Sequence, residues 1–319
     1  MKRIAVLTSG GDAPGMNACV RAVVRSGEVN NFEVIGVVGG YHGLIEGKFK
    51  RLTLLDVEEI ISKSGTILKT TRCDEFMTTD GFNKAVENIT KQNIDALVVL
   101  GGDGSFNGAL KLQKAGVNVI GVPCTIDNDL GYTDLTIGFD SAVSTVTALL
   151  GNIRDTSASH DRVCVVEVMG RHSGAIALSS GVASGAEVVM LPEMEFCDED
   201  VCKKVLESTT RGERCVLVVV AEGVARAEDV AKMIQAHTNI DAKSVDLGYV
   251  QRGGTPSAND RILATRMGAM AVDMVCKKKF GVAIGTNENK INAVSLAKAL
   301  IPKSKFDKNL YLMNDRLSV

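Results

Sequence analysis

Val117-Asn118-Val119-Ile120-Gly121-Val122-Pro123-Cys124-Thr125-Ile126-Asp127-Asn128-Asp129 is the stretch on which the reading of this chain turns. Its first half is apolar almost throughout, the pattern of a strand covered on both faces of a parallel sheet. Its second half crowds a hydroxyl, two acids and an amide into five positions. A strand that ends this way delivers carboxylates to the carboxyl edge of a sheet, where open α/β folds hold their ligands. Two neighbouring acids suit a division of labour, one accepting a proton and the other orienting it or a metal ion. Asp-Asn-Asp is also a common turn former whose side chains cap their own backbone. Taken alone, the stretch supports both readings.

Three further segments tilt the balance. Leu7-Thr8-Ser9-Gly10-Gly11-Asp12-Ala13-Pro14-Gly15-Met16-Asn17 follows the strand-like Arg3–Leu7 and precedes an amphipathic stretch through Val24. Paired glycines let main-chain amides approach an anion closely, and a helix starting near Gly15 adds its positive dipole end. Leu100-Gly101-Gly102-Asp103-Gly104-Ser105 repeats the strand, glycine turn and helix plan after Ala96–Leu100, now with an acid able to hold Mg²⁺. Gly248-Tyr249-Val250-Gln251-Arg252-Gly253-Gly254 presents a guanidinium suited to phosphate. Neither glycine turn contains Gly-x-x-x-x-Gly-Lys-Ser/Thr, and Gly102, Gly104 and Gly108 miss the dinucleotide spacing by one residue. A nicotinamide-dependent oxidoreductase is therefore disfavoured, and a polyphosphate site is favoured.

Composition agrees with an enzyme of the soluble class. The 319 residues suffice for about two domains, and a 45% hydrophobic content can fill two cores. A net charge of −2 gives no basis for attracting nucleic acid. Lys277-Lys278-Lys279 reads as a solvated helix end. The eight cysteines form no Cys-x-x-Cys pair, and several lie in apolar runs, which points to buried free thiols in a reducing compartment. No signal peptide and no membrane span of roughly 20 apolar residues is expected, so the expected setting is cytoplasmic. Strands are predicted near 3–8, 33–38, 95–100, 117–122, 162–168, 187–191, 215–221, 243–247 and 280–284. Longer helices are predicted near 15–28, 81–92, 105–115, 139–157, 199–210, 257–277 and 292–300. Apolar strands alternating with helices imply an α/β fold with largely parallel sheets.

Five blocks, Gly10–Asn17, Gly101–Ser105, Thr125–Asp129, Glu167–Arg171 and Gln251–Gly254, resemble the bacterial ATP-dependent 6-phosphofructokinases in order and spacing. The resemblance covers essentially the whole chain. It implies two similar three-layer α/β domains with the active site in the cleft between them. The implied nucleotide-binding domain takes residues 1–138 plus about 251–301, and the sugar-phosphate-binding domain 139–250 plus about 302–319. The implied reaction moves the γ-phosphoryl group of ATP to the 1-hydroxyl of fructose 6-phosphate, with Mg²⁺ as cofactor, as in glycolysis.

Residue by residue, the resemblance makes Asp127 the base and places Thr125 and Arg171 on the phosphoryl group in flight. Gly11, Arg72, Cys73, Gly102, Asp103, Gly104 and Ser105 would hold the nucleotide, with Asp103 engaging the metal. The sugar phosphate would meet Thr125, Asp127, Met169, Gly170, Arg171, Glu222, Lys243, Tyr249 and Arg252, together with Arg162 from a neighbouring subunit of a homotetramer. Arg21, Arg25, Arg154, Gly185, Glu187 and Arg211 would bind ADP or phosphoenolpyruvate as effectors.

Departures from the family pattern carry their own expectations. Lys243 and Tyr249 stand where arginine and histidine are usual; lysine lacks the planar fork that grips phosphate twice, so weaker sugar-phosphate affinity is expected. Pyrophosphate-using relatives place Asp at the position of Gly104 and Lys at that of Cys124, so ATP is the expected donor. Leu54 replaces a usual arginine and Glu213 a usual lysine, which predicts blunted effector control, with Arg51 as a candidate substitute for the missing cation. A pyrophosphate-dependent enzyme and a catalytically silent sensor subunit are the alternatives.

Overall fold

Apolar runs become strands and amphipathic runs become helices over the residues described by this computed structural model, 2–318. In chain order these are β1 (Lys2–Thr8), α1 (Met16–Val29), β2 (Phe32–Val37), α2 (Gly40–Glu46), β3 (Phe49–Leu52), α3 (Thr79–Lys91), β4 (Ala96–Gly101), α4 (Asp103–Lys114), β5 (Val119–Pro123), α5 (Phe139–Ala158) and β6 (Arg162–Val168). There follow α6 (Ala175–Ser184), β7 (Val188–Met190), α7 (Asp198–Thr210), β8 (Cys215–Ala221), α8 (Ala227–Thr238), β9 (Ala242–Asp246), α9 (Ala258–Cys276), β10 (Val282–Asn287), β11 (Lys290–Ser295), α10 (Leu296–Ala299) and α11 (Lys308–Leu317).

Two units emerge. The first takes the chain up to Ile126, then Leu130–Ser141 and Arg252–Ser304; the second takes Asp127–Asp129, Ala142–Gln251 and the chain from Lys305 on. The first is built on a seven-stranded sheet ordered β11-β10-β5-β4-β1-β2-β3. Its inner pairs are parallel, and the two edge strands β3 and β11 run antiparallel to their neighbours. The second is built on a wholly parallel four-stranded sheet ordered β7-β8-β6-β9. Every residue of β4 and of β8 is buried. That is why neither strand alternates in polarity: a strand covered on both faces needs apolar residues at odd and even positions alike. The α/β class with largely parallel sheets is thus observed.

Helix starts are set by local chemistry. Ser257 caps α9 by accepting from Asp260 N, and Asp260, 1% exposed, accepts from Gly138 N, Ser141 N and the Ser141 hydroxyl at the head of α5. Burial raises the pKa of this carboxyl, partly offset by the bonds from Ser141 and Gly138.

One element corrects the reading from sequence. The helix expected over 292–300 is β11 through Ser295, followed by the short α10. Lys290–Ser295 pairs antiparallel with β10 from Asn287 back to Val282, and the Ser295 hydroxyl then caps α10 by accepting from Lys298 N. Among the described residues, no helix is long and apolar enough to cross a membrane.

Candidate active site

Strand order does what sequence order does not: it sets three loops side by side. Leu7 pairs with Val99 and Thr8 with Leu100, while Gly101 pairs with Pro123. The loops after β1, β4 and β5 therefore leave one carboxyl edge in neighbouring positions. Ser9 N donates to Leu100 O at 2.9 Å, and Cys124 N donates to Gly101 O at 3.0 Å. A Cβ on Gly102 would lie 3.5 Å from Thr125 Cβ, and one on Gly10 would lie 3.5 Å from the Ser105 hydroxyl. Gly10, at φ 84, needs the left-handed region that glycine enters without penalty.

Around this edge the side chains are oriented. Asp103 opens α4, and its Oδ2 accepts from Asn107 Nδ2 at 3.1 Å, one helical turn on. Tyr41 donates its hydroxyl to Ser105 O at 2.5 Å and stacks on Phe76, pinning the first turn of α4. The segment carrying Arg72 and Cys73 is brought in by Thr70, whose hydroxyl donates to Gly10 O at 2.8 Å. Arg72 is exposed, and Cys73 precedes the short turn Asp74–Met77. Arg252 lies with its guanidinium on Gly11 and donates to Asp12 O at 2.8 Å, so a Cβ at position 11 would displace that guanidinium. Cys124 is buried, and burial pushes its thiol pKa up, so it contributes no charge to the edge.

In the second unit the expected residues divide into two groups. Met169, Gly170, Arg171 and Glu222 gather at the carboxyl edge of β6 and β8, where Val168 pairs with Ala221 and Glu222 N donates to Val168 O at 2.8 Å. Gln251, fully buried, accepts from Met169 N at 3.0 Å and donates to Gly248 O at 3.0 Å, tying this edge to the turn that bears the 85%-exposed Tyr249. Arg162 and Lys243 are at the opposite, amino edge. Both contact Asp241, Arg162 Nε at 2.7 Å and Lys243 Nζ at 3.0 Å. Arg162 and Val168 stand at the two ends of β6, about 20 Å apart, and Lys243 pairs with Cys164 near the amino end. Asp127, placed with this unit, has its carbonyl held by the Ser173 hydroxyl at 2.9 Å.

The positions expected to bind effectors are mostly engaged. Arg154 pairs with Glu187 at 3.2 Å and donates to Gly185 O at 2.6 Å. Burial raises the Glu187 pKa despite that pairing. Arg211 donates to Glu213 at 2.9 Å, to the Ser208 hydroxyl at 2.9 Å and to Ser318 O at 3.1 Å. On α1, Arg21 is held below the usual arginine pKa by burial and then by the charge of Arg25. Leu54 is 42% exposed, and Arg51, the candidate substitute, pairs with Glu33 at 3.5 Å.

Tyr41, Asn107, Ser173 and Asp241 do not stand out in the sequence, because each acts through a contact distant in the chain or through a single helical turn; Gln251 lies in a recognised block, but its hold on Met169 is not visible there. The Gly40-Tyr41-His42-Gly43 run after a predicted strand is the one available signal, for Tyr41.

Comparison with known proteins shows the family. A family model described as Phosphofructokinase matches residues 3–275. An ATP-dependent 6-phosphofructokinase from Alkaliphilus metalliredigens is 48% identical over 319 residues, covering 100% of both chains. A protein of the same name from Clostridioides difficile is 49% identical over 319 residues, again with 100% of both chains covered. Among solved structures, phosphofructokinase from Saccharomyces cerevisiae superposes with a TM-score of 0.88 at 37% identity, over 94% of this chain and 45% of the yeast chain. This chain thus spans less than half of the yeast subunit, while it spans the full length of the bacterial relatives. A pyrophosphate-dependent phosphofructokinase from Marinobacter aquaeolei has the same TM-score of 0.88 at 23% identity, over 97% of this chain and 86% of that chain, and attests to the fold. The α/β fold shared with these structures and the names of the curated relatives place the chain among the α/β phosphotransferases. It belongs to the phosphofructokinase family.

Proposed function

We propose that this chain is an ATP-dependent 6-phosphofructokinase that converts fructose 6-phosphate and ATP to fructose 1,6-bisphosphate and ADP in glycolysis. The observation that carries this reading is the neighbouring exit of the Gly10-Gly11, Gly102–Ser105 and Thr125 loops from one sheet edge, in a chain 48% identical over its full length to an ATP-dependent relative. The first unit is read as the nucleotide-binding domain and the second as the sugar-phosphate-binding domain.

Phosphoryl transfer needs positioning and charge neutralisation more than covalent chemistry. The amides of Gly11 and of the Gly102–Ser105 turn, with Arg72 and Cys73 alongside, hold the nucleotide phosphates. A side chain at Gly104 would meet nothing within 4 Å, so the space that an aspartate fills in pyrophosphate users is open to the α-phosphate. Asp103 fits a magnesium ion that is shared with phosphate oxygens, since Mg²⁺ is held by one or two carboxylates plus substrate rather than by an all-protein cage. Bound there, the ion would neutralise developing charge on the transferring group. Asp127 accepts the proton of the sugar 1-hydroxyl as that oxygen bonds to the γ-phosphorus and the bond to the β-phosphate oxygen breaks. Thr125 and Arg171 stabilise the phosphoryl oxygens in flight.

Met169, Gly170, Glu222, Tyr249 and Arg252 orient the sugar phosphate. Arg162 and Lys243, toward the amino edge of the second sheet, are read as serving a site on a second copy, and the working species is read as a homo-oligomer and, by family, a homotetramer. ADP and phosphoenolpyruvate are the expected effectors at Arg21, Arg25, Arg154, Gly185, Glu187 and Arg211. A glycolytic role sets the enzyme in the cytoplasm.

Initial rates with ATP or pyrophosphate over a range of fructose 6-phosphate, with and without ADP and phosphoenolpyruvate, test the proposal. Turnover with ATP and little with pyrophosphate is expected. Binding without turnover, or preference for pyrophosphate, would overturn it.

A further inference from the structure

Asp127–Asp129 interrupts the first unit in sequence, flanked by Ile126 and Leu130, yet it packs with the second. Two side chains from distant parts of the chain hold it. The Ser173 hydroxyl donates to Asp127 O at 2.9 Å across 46 positions of sequence. The Lys305 ammonium donates to Asn128 Oδ1 at 2.8 Å across 177 positions. Between these grips Asn128 is 8% exposed and adopts φ 47, a left-handed conformation that asparagine tolerates better than most residues but still enters at a cost. A backbone held there by long-range partners is over-determined by its surroundings, as strained positions beside reacting groups tend to be.

We infer that Ser173 and Lys305 are positioning residues that set Asp127 for proton transfer. The inference rests on the reading of Asp127 as the base. Ser173 is placed to couple two reacting groups, because Arg171 lies two residues before it in the same turn. That turn is itself fastened: Gly174 N donates to the Glu193 carboxylate at 2.9 Å, and Ala175 N donates to the Ser173 hydroxyl oxygen at 3.4 Å, leaving the hydroxyl proton for Asp127 O. Lys305 grips from the other direction, on the side chain of the next residue. A base must come within hydrogen-bond reach of the proton it takes, so loosening either grip should slow the chemical step more than it weakens binding.

The test uses the full-length enzyme with Ser173→Ala, Lys305→Met and Lys305→Arg, alone and combined with Asp127→Asn. Ser173→Ala and Lys305→Met are each expected to lower kcat about tenfold, within the loss that a small misplacement of reacting groups brings. The KM values for fructose 6-phosphate and ATP should stay within about twofold, the signature of an interaction that matters in the transition state. Thermal midpoints should match the wild type, and Lys305→Arg should recover most of the rate. In the Asp127→Asn background neither change should lower the residual rate further, since residues acting as one unit are not additive. Undiminished kcat, a loss that tracks the thermal midpoint, or a full additional loss on top of Asp127→Asn would overturn the inference. Asp127→Asn with wild-type turnover would instead overturn the assignment of the base.

Discussion

In the first unit the groups proposed to hold phosphate are largely main-chain amides of glycine turns, presented where three parallel strands end. In the second they are long cations, most of them already paired with a carboxylate: Arg154 with Glu187, Arg162 and Lys243 with Asp241, and Arg211 with Glu213. An amide site is ready as folded; a paired cation must exchange one anion for another. The first arrangement should be sensitive to added atoms and indifferent to salt, and the second the reverse. The difference between the units is one of preorganisation, and it can be probed position by position.

Asp127→Asn sets the scale, as the change at the proposed base: kcat should fall about 10³-fold, in the range for a lost general base, with KM little changed in steady-state assays. Gly11→Ala attacks the amide arrangement. Its methyl would strike the Arg252 guanidinium, and kcat/KM should fall up to about 10²-fold, as for misplaced substrate groups, at low and high salt alike. A loss that salt abolishes would blur the distinction between the units.

Glu213→Lys attacks the paired arrangement by removing the partner of Arg211. The wild-type half-saturation point for fructose 6-phosphate should move less than about twofold with ADP or phosphoenolpyruvate, and that of the variant at least about fivefold, an ordinary allosteric coupling. Asp241→Asn should lower KM for fructose 6-phosphate about two- to threefold, the scale of an exposed ion pair, and the gain should vanish as salt screens the freed cations. The smallest effect belongs to Glu187. Its folded pKa lies above the ordinary 4.5 because it is buried. Its contribution is therefore complete below that value and is lost as pH rises through the folded pKa. Unfolding midpoints of wild type and Glu187→Gln measured between about pH 4 and pH 7 should show that decline in the wild type alone.

Much of the fold is legible in the chain because β4, β5, β6 and β8 are apolar runs bounded by turns, and a buried parallel strand has no other way to appear. The 292–300 segment misleads because Ile291-Asn292-Ala293-Val294 is short enough to suit either period; its pairing with β10 decides for a strand. Helix α6 escapes notice since its small and apolar residues, from Ala175 to Ser184, show no polar face, and α8 and α11 are absent from the expected set as well. The candidate loops are visible one at a time, as glycine turns after strands. Their adjacency is not, because it depends on β4 and β1 pairing across more than ninety positions of chain, from Thr8 to Leu100. Nor could Arg162, Asp241 and Lys243 be joined before β6 was known to lie beside β9.

β9 closes one end of the four-stranded sheet, and Lys243 and Ser244 on it are exposed. A bare strand at a sheet margin is a template on which other chains can anneal, and charged side chains are a common guard against it. Lys243 is a charge of that kind, so exchanging it for a neutral, β-favouring residue should compromise colloidal behaviour apart from any effect on the proposed sugar recognition.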